Sequence, residues 1–360
     1  MSVERAVEAL VKLPNVTPTW APQPANVPWP TTSWPRASST AALDSLVDEL
    51  FESSELATTN ALVIVRGGEI LAERYGGAKI SFDREPEPIV QSTPLLSWSV
   101  AKSMVHFFVG VLVDEQRLDP EARAEVAEWS EPNDPRYAIR SADLLAMRDG
   151  LDFLEDYVDD TASDCIEMLF GAGSANTSGY AAARPLKHEP GSHYNYSSGT
   201  TNIISRLVAQ RVGFAEQYHA FMSERLFDPI GMSTAKPGFD DAGVFIGSTF
   251  VHAVAQDFAR FGLLYLRGGE WDGRHLVSRA WTATAQTPHS FDPDSGSFYS
   301  WQWWLGADQY GTYWANGYEG QRIFISPALD TVVVRLAKMP VEQAPALANW
   351  RDRLLGELAR

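Results

Sequence analysis

The segment Leu95–Gln116, LLSWSVAKSMVHFFVGVLVDEQ, constrains this chain more than any other stretch. It opens on small hydroxyl residues, runs apolar from Met104 to Val113 with one polar interruption at His106, and closes on Asp114, Glu115 and Gln116. That pattern predicts a helix buried along most of its length with its first turn at a surface, so other elements must wrap around it. Ser99 and Lys102 lie three apart in that first turn, which sets their side chains on one face, about 5–6 Å apart at Cβ. A serine hydroxyl is a weak nucleophile until a base takes its proton, and a lysine serves when burial and nearby cations depress its pKa. The unpaired N–H groups of a helix start suit an oxyanion forming on an attacked carbonyl. The competing reading is a capping hydroxyl and a snorkelling lysine. Ser233-Thr-Ala-Lys236 repeats the S-x-x-K spacing, but it stands between Gly231 and Pro237-Gly238, which break helices, so that copy reads as loop.

A chain of 360 residues can form one large domain or two smaller ones with a substantial core. The net charge of −17 argues against nucleic acid and against docking on anionic lipid, both of which call for Lys and Arg. The longest apolar run is too short to span a bilayer. MSVERAVEALVKLPNV carries Glu4 and Glu8 and lacks the charged-then-apolar order of a secretory leader, so a cytoplasmic location is expected. A lone cysteine, Cys165, excludes an internal disulfide and reads as a buried structural thiol. The seven histidines show no H-E-x-x-H or H-x-H clustering, so neither metal nor cofactor is expected. The G-x-S-x-G elbow of an α/β-hydrolase is absent. A homodimer is left open.

Taken in order, residues 1–36 carry seven prolines with Trp20, Trp29 and Trp34, and read as an extended arm wrapped on the body. A helix follows at Thr40–Leu56, then a hairpin at Asn60–Tyr75 turning at Gly67-Gly68. From Pro120 to Pro288 the pattern is helices and long loops: Ser141–Met147, Ile203–Val212, Ala215–Leu226, Val254–Leu266 and Val277–Thr287. Tyr310–Ala315, Arg322–Ser326 and Thr331–Ala337 read as strands, and Pro345–Arg360 as a closing helix. The expected fold is α/β in the α+β sense: an antiparallel sheet built from both chain ends, flanked by helices, with an inserted, mostly helical lobe. In residues, 1–36 is the arm, 37–119 with 291–360 the sheet domain, and 120–290 the insertion.

Gly191-Ser-His-Tyr194-Asn-Tyr196-Ser-Ser198-Gly is a polar, aromatic loop leading into a helix. A tyrosine beside a Ser/Lys pair can act as base, as phenolate or through the lysine, and then return the proton to a leaving group. Alone, the loop reads equally as packed aromatic rings. Together the pieces carry a resemblance. Ser99-Val-Ala-Lys102 resembles the S-x-x-K element of the penicillin-recognising serine hydrolases. Pro190-Gly191 followed by Tyr196-Ser197-Ser198 resembles their Y-x-N element in the class C β-lactamase branch. Asp257-Phe-Ala-Arg260-Phe261-Gly262 resembles that branch's D-x-A-R-F-G segment, Leu144-Leu145-Ala-Met147-Arg-Asp-Gly150-Leu151 its LLxMxSGL segment, and Phe227-Asp-Pro229-Ile-Gly231-Met232 its lfxPlGM segment. The likeness spans roughly residues 62–338. In motif flavour it is nearest the 6-aminohexanoate-dimer hydrolases and the β-lactamase-like carboxylesterases.

The resemblance implies a β-lactamase/transpeptidase-like fold and hydrolysis of a small-molecule ester or amide through an acyl-enzyme. Ser99 is then the acylated nucleophile, Lys102 its proton-relay partner and Tyr196 the general base and acid, with the backbone N–H groups of Ser99 and Tyr318 as oxyanion hole. Three departures weigh against an antibiotic substrate. Ala315-Asn316-Gly317 stands where the family's K-T-G or H-T-G element carries a cation, Ser198 where Y-x-N has asparagine, and Asp149 where LLxMxSGL has serine. An esterase or amidase is therefore expected over a class C-type β-lactamase or D-peptidase, and a catalytically silent ligand-binding protein on the same scaffold is the rival from another class. Tyr157, Asp156, Ser198, His252, Trp304 and Asn316 are the candidate substrate contacts. Glu155, Asp156 and Tyr157 form a run whose carboxylates suit a cationic amine or, equally, a solvated loop.

Overall fold

The computed structural model of the chain describes residues 12–79, 85–157 and 163–360. The amphipathic start of the arm, residues 1–11, lies outside them. In chain order, the principal elements are α1 (Ala41–Glu52), β1 (Thr58–Arg66), β2 (Glu69–Tyr75), α2 (Ala101–Asp114), α3 (Asp164–Phe170), α4 (Ser198–Val212), α5 (Ala255–Leu266), β3 (Ser290–Asp292), β4 (Ser297–Tyr299), β5 (Trp304–Leu305), β6 (Tyr313–Gly317), β7 (Gln321–Ser326), β8 (Thr331–Lys338) and α6 (Ala344–Leu358). The eight strands form one sheet in the order β3-β4-β5-β6-β7-β8-β1-β2, antiparallel at every step. The two chain ends meet at its heart, where Ile64 of β1 lies opposite Val333 of β8. The expected α+β sheet with flanking helices is the fold observed.

β1 is apolar from Ala61 to Val65 because both its faces are covered there. Leu62 and Ile64 pack with Leu43 and Leu50 of α1 and with Trp350 and Leu354 of α6. Ala61, Val63 and Val65 point the other way, into the large core that holds α2 and α5. On that face Gly262 lets α5 press on the sheet, since a Cβ there would come within 2.5 Å of Val332 Cγ1. α2 is buried from Ala101 through Leu112, and truncating Phe107 or Phe108 to alanine would cost about 3–5 kcal/mol. The charged pair of the D-x-A-R-F-G segment is structural. Asp257 holds Arg260 at 2.7 Å and caps the Thr234 N–H at 3.0 Å, while Arg260 Nε donates to Pro30 O of the arm at 2.8 Å. Trp29 stacks obliquely on Trp271 with centroids 5.0 Å apart, and Trp34 is buried. No helix among the described residues is long and apolar enough to cross a membrane.

Several boundaries differ from expectation for local reasons. β3, β4 and β5, two or three residues each, are too short for period-two alternation to register, and the sequence reading omitted them. β6 starts at Tyr313 instead of Tyr310, because Asp308 closes a turn by accepting from the N–H groups of Tyr310 (2.9 Å) and Thr312 (3.1 Å). α4 starts at Ser198, ahead of Ile203, because Ser197 caps it by accepting from Thr200 N–H at 3.0 Å. The helix expected at Val277–Thr287 contracts to Arg279–Thr284 behind a Ser278 cap.

Candidate functional site

The Leu95–Gln116 segment is not helical from its start. Leu95–Leu96 pairs as a short strand with Val251–Ala253, and Ser99 sits in a tight turn, Trp98–Val100, before α2 begins at Ala101. Trp98 holds φ +47°, a conformation costly for a bulky residue and characteristic of strained functional turns. Buried hydrogen bonds over-determine the turn: Ser97 N–H donates to Val251 O (2.8 Å), Ser97 Oγ donates to Thr249 O (2.8 Å), and Val251 N–H donates to Ser97 Oγ (3.1 Å). On the other side a Cβ at Gly317 would lie 2.6 Å from Ser97 O, so only glycine lets the end of β6 abut this turn. Tyr318, the next residue, lines the same cavity as Ser99, and its ring packs edge-on against Trp98 at 5.4 Å.

Ser99 is 8% and Lys102 1% exposed. Lys102 Nζ lies 3.0 Å from Ser99 Oγ, 2.9 Å from Ser198 Oγ and 3.1 Å from the carbonyl oxygen of Ser248. Burial lowers the Lys102 pKa, opposed chiefly by the charge of Glu155. The Tyr196 hydroxyl is close enough to Ser99 for the serine to favour its ionised form, and Lys102 Nζ stands 4.9 Å from the Tyr196 ring centroid. Burial, reinforced by Glu155, pushes the Tyr196 phenol well above its usual value. Burial thus shifts the lysine toward its neutral amine and the phenol away from phenolate.

Glu155 is tied into this cluster. Its carboxylate accepts from Ser198 N–H at 2.7 Å, from Ser198 Oγ at 2.6 Å and from the Tyr157 hydroxyl. Asp149, at the position where the resemblance expects serine, braces the same helix start: it accepts from Thr200 Oγ1 at 2.5 Å and from Leu151 N–H at 2.8 Å. Burial raises the Asp149 pKa to about 6.

Of the other expected contacts, Tyr157 and Ser198 line the cavity at Ser99, and Tyr157 stacks on Tyr318 at 4.8 Å. Trp304 does not: it is buried behind Tyr196, 5.6 Å ring to ring, and buttresses it. His252 is exposed on a short strand, opposite Leu96 and Lys236, and does not line this cavity. Its flanking residues Val251 and Ala253 take the inward face, so strand alternation turns the imidazole outward. Asp156 contributes its main-chain carbonyl to Ser163 Oγ. Asn316 lies opposite Arg322 in the β6–β7 ladder, with its Oδ1 buried.

Two features escaped the sequence reading. Arg322, one strand over from the cation-less Ala315-Asn316-Gly317, donates through Nη1 to Gly317 O (3.0 Å) and Gln321 O (2.8 Å), and its charge acts on Tyr196. Burial brings its pKa down to about 10, so it stays a cation at neutral pH. The signal was hidden because register, not sequence adjacency, brings it there. The second is the wall of the Ser99 cavity, about 230 Å3, to which α3 contributes Cys165, Ile166, Leu169 and Phe170 alongside Trp98 and Thr249. Burial raises the Cys165 pKa, leaving a neutral thiol as wall.

Comparison with known proteins agrees with this architecture. The profile of the family described as Beta-lactamase matches residues 43–357. The 6-aminohexanoate-dimer hydrolase of Paenarthrobacter ureafaciens is 28% identical over 343 residues, covering 88% of this chain and 81% of that protein. Among solved structures, a Bacillus anthracis protein provisionally named as a 6-aminohexanoate-dimer hydrolase superposes with TM-score 0.73 at 20% identity, over 95% of this chain and 90% of the other. A family VIII carboxylesterase gives 0.69 at 16% identity, over 89% and 99%. A penicillin-binding protein homologue from Caulobacter crescentus gives 0.67 at 17%, over 84% and 93%.

Proposed function

We propose, from the premise that this chain belongs to the Beta-lactamase family, that it is a serine hydrolase that cleaves an ester or amide through an acyl-enzyme on Ser99. One observation carries the reading: a buried lysine amine 3.0 Å from a serine hydroxyl, with the half-buried ring of Tyr196 4.9 Å from the same amine. Neutral Lys102 takes the Ser99 proton as Oγ attacks the carbonyl carbon. The oxyanion is received by the N–H groups of Ser99 and Tyr318. The Tyr196 hydroxyl gives its proton to the departing alcohol or amine and is reprotonated from the Lys102 ammonium. Water then attacks the acyl-enzyme, and the same groups carry its proton back to Ser99 Oγ. The assignment differs from the role the resemblance implied for Tyr196: burial makes its phenol a poor initial base, so Lys102 takes that step and Tyr196 shuttles.

The substrate reading rests on the cavity. An apolar cavity of 150 Å3 holds benzene, so about 230 Å3 walled by Ile166, Leu169, Phe170 and Trp98 suits a short aliphatic chain or one aromatic ring. Short-chain esters are the expected substrates. Arg322 supports a second reading, a carboxylate-bearing substrate such as a β-lactam or D-peptide, because it returns a cation to the neighbourhood of Tyr196. The test is a panel of p-nitrophenyl butyrate, a linear 6-aminohexanoate amide, a D-alanyl peptide and nitrocefin. Fastest turnover of the ester, abolished by Ser99→Ala, is expected. Nitrocefin turned over far faster than the ester overturns the substrate assignment, and turnover that survives Ser99→Ala overturns the mechanism.

A further inference from the structure

Lys102 can accept a proton from Ser99 only if its lone pair points there. A protonated amine has three N–H bonds, and Lys102 has three neighbours to receive them: Ser99 Oγ, Ser198 Oγ and Ser248 O. A neutral amine keeps two N–H bonds and one lone pair, and which neighbour meets the lone pair depends on which of the three can only accept. Ser248 O is a carbonyl and only accepts, and the residue is held on its other side by its N–H donating to Asn202 Oδ1 at 3.0 Å. Ser198 Oγ is a hydroxyl and could turn either way. Glu155 settles it. The carboxylate 2.6 Å away claims the hydroxyl hydrogen, and its other oxygen is anchored by Ser198 N–H at 2.7 Å.

We infer that Glu155 is a positioning residue: by holding the Ser198 hydroxyl as an acceptor toward Lys102, it leaves the lysine lone pair no partner but Ser99. The inference rests on the serine-hydrolase reading above. With both remaining N–H bonds committed to Ser198 Oγ and Ser248 O, the lone pair faces the nucleophile before substrate arrives. Serine at position 198 has a function in this arrangement, because a hydroxyl has a rotor that a carboxylate can set. Glu155 reaches it from the loop that also carries Tyr157, whose hydroxyl donates to the same carboxylate. The groups facing Lys102 are then Glu155 from that loop, Cys165 from α3, Ser99 from the turn and Tyr196 from the segment before α4.

The test is Glu155→Gln, with Glu155→Asp and Ser198→Ala beside it. A glutamine needs its single oxygen for Ser198 N–H and turns its amide N–H toward Ser198 Oγ, freeing the serine hydrogen to occupy the Lys102 lone pair. For Glu155→Gln, kcat on p-nitrophenyl butyrate is expected to fall about 10–100-fold with KM little changed, the scale of a misaligned reacting group. The acid limb of the pH profile is expected to move to lower pH, because the anion that favours the Lys102 ammonium is gone. Glu155→Asp is expected to recover part of the rate, and Glu155→Gln added to Ser198→Ala to cost nothing further. Should Glu155→Gln fail to fold, Ser198→Ala carries the test alone: it must lose kcat by a similar factor. An unmoved acid limb, a wild-type kcat, or a loss confined to KM for ammonium-bearing substrates overturns the inference. Absence of turnover in the wild-type enzyme instead overturns the hydrolase reading on which it stands.

Discussion

Tyr196→Phe separates chemistry from folding more cleanly than any other change at this site. The substitution deletes one hydroxyl and keeps a ring that packs 5.6 Å from Trp304, meets Tyr299 perpendicularly at 6.0 Å, and lies 4.9 Å from Lys102 Nζ. The hydroxyl's interaction with Ser99 is worth at most the roughly 1 kcal/mol of a single hydrogen bond, and its desolvation cost disappears with it, so stability is expected to stay within about 1 kcal/mol of wild type. The loss in rate is larger. Positioned proton transfer contributes roughly 10²–10⁴-fold, or about 3–5 kcal/mol of barrier. The loss is also expected to depend on the leaving group. Nitrophenolate departs without a proton, whereas ethoxide or an amine needs one from Tyr196. Steady-state kcat/KM on p-nitrophenyl butyrate and on ethyl butyrate, together with a thermal melt, reads all three quantities. The expected result is an unchanged melt, with a deficit on ethyl butyrate at least tenfold larger than on the nitrophenyl ester. Equal deficits on the two esters refute the shuttle role, and wild-type rates on both refute any role for the hydroxyl.

Two further predictions concern the framework under the site. His106 of α2 is fully buried, hydrogen-bonded to Tyr265 OH (2.7 Å) and Thr284 Oγ1 (2.9 Å), and burial lowers its pKa to about 3. Its folded pKa is depressed below the unfolded 6.5, so its contribution is complete above pH 6.5 and drains as pH falls toward 3, with about 2 kcal/mol gone by pH 5. Asp149, raised to about 6, works in the opposite direction, so the quantity to compare is the pH 7-to-5 loss of stability in wild type against His106→Gln; an equal loss in both contradicts the reasoning. Gly110→Ala places a Cβ 2.1 Å from Trp281 Cδ1, whose indole N–H is held by His106 O at 2.9 Å. The roughly 1 kcal/mol that alanine gains in helix propensity is outweighed by an overpacking cost of about 1–3 kcal/mol, so a lower melting temperature is expected and a higher one rejects the packing described.

How much of this was legible in the sequence depended on whether a feature was local. β1 and β2 announced themselves through β-branched residues around Gly67-Gly68, and α2 through its unbroken apolar run, because period and turn chemistry are written in consecutive residues. Ser99, Lys102 and Tyr196 were named from short motifs, and the structure brings those three together. What stayed hidden depends on register and on distant partners. Arg322 reaches the Tyr196 neighbourhood only because β6 and β7 pair Asn316 with it. Trp304 looked like a cleft residue and is a buttress, since exposure of an aromatic side chain is decided by what packs behind it. His252 looked like a cleft residue and faces outward, because strand alternation turned it away. Glu155 was visible as part of an acidic run, but its partner, the Ser198 hydroxyl, lies 43 residues away.

The claim on which the rest depends is that Ser99 becomes covalently acylated. Incubating the wild-type protein with a fluorophosphonate, followed by intact-mass measurement and peptide mapping, examines it directly. A single adduct on the peptide containing Ser99, absent from Ser99→Ala and slowed in Lys102→Met, is the expected outcome. A protein that acquires no adduct, or acquires it on another serine such as Ser198 or Ser233, contradicts the account.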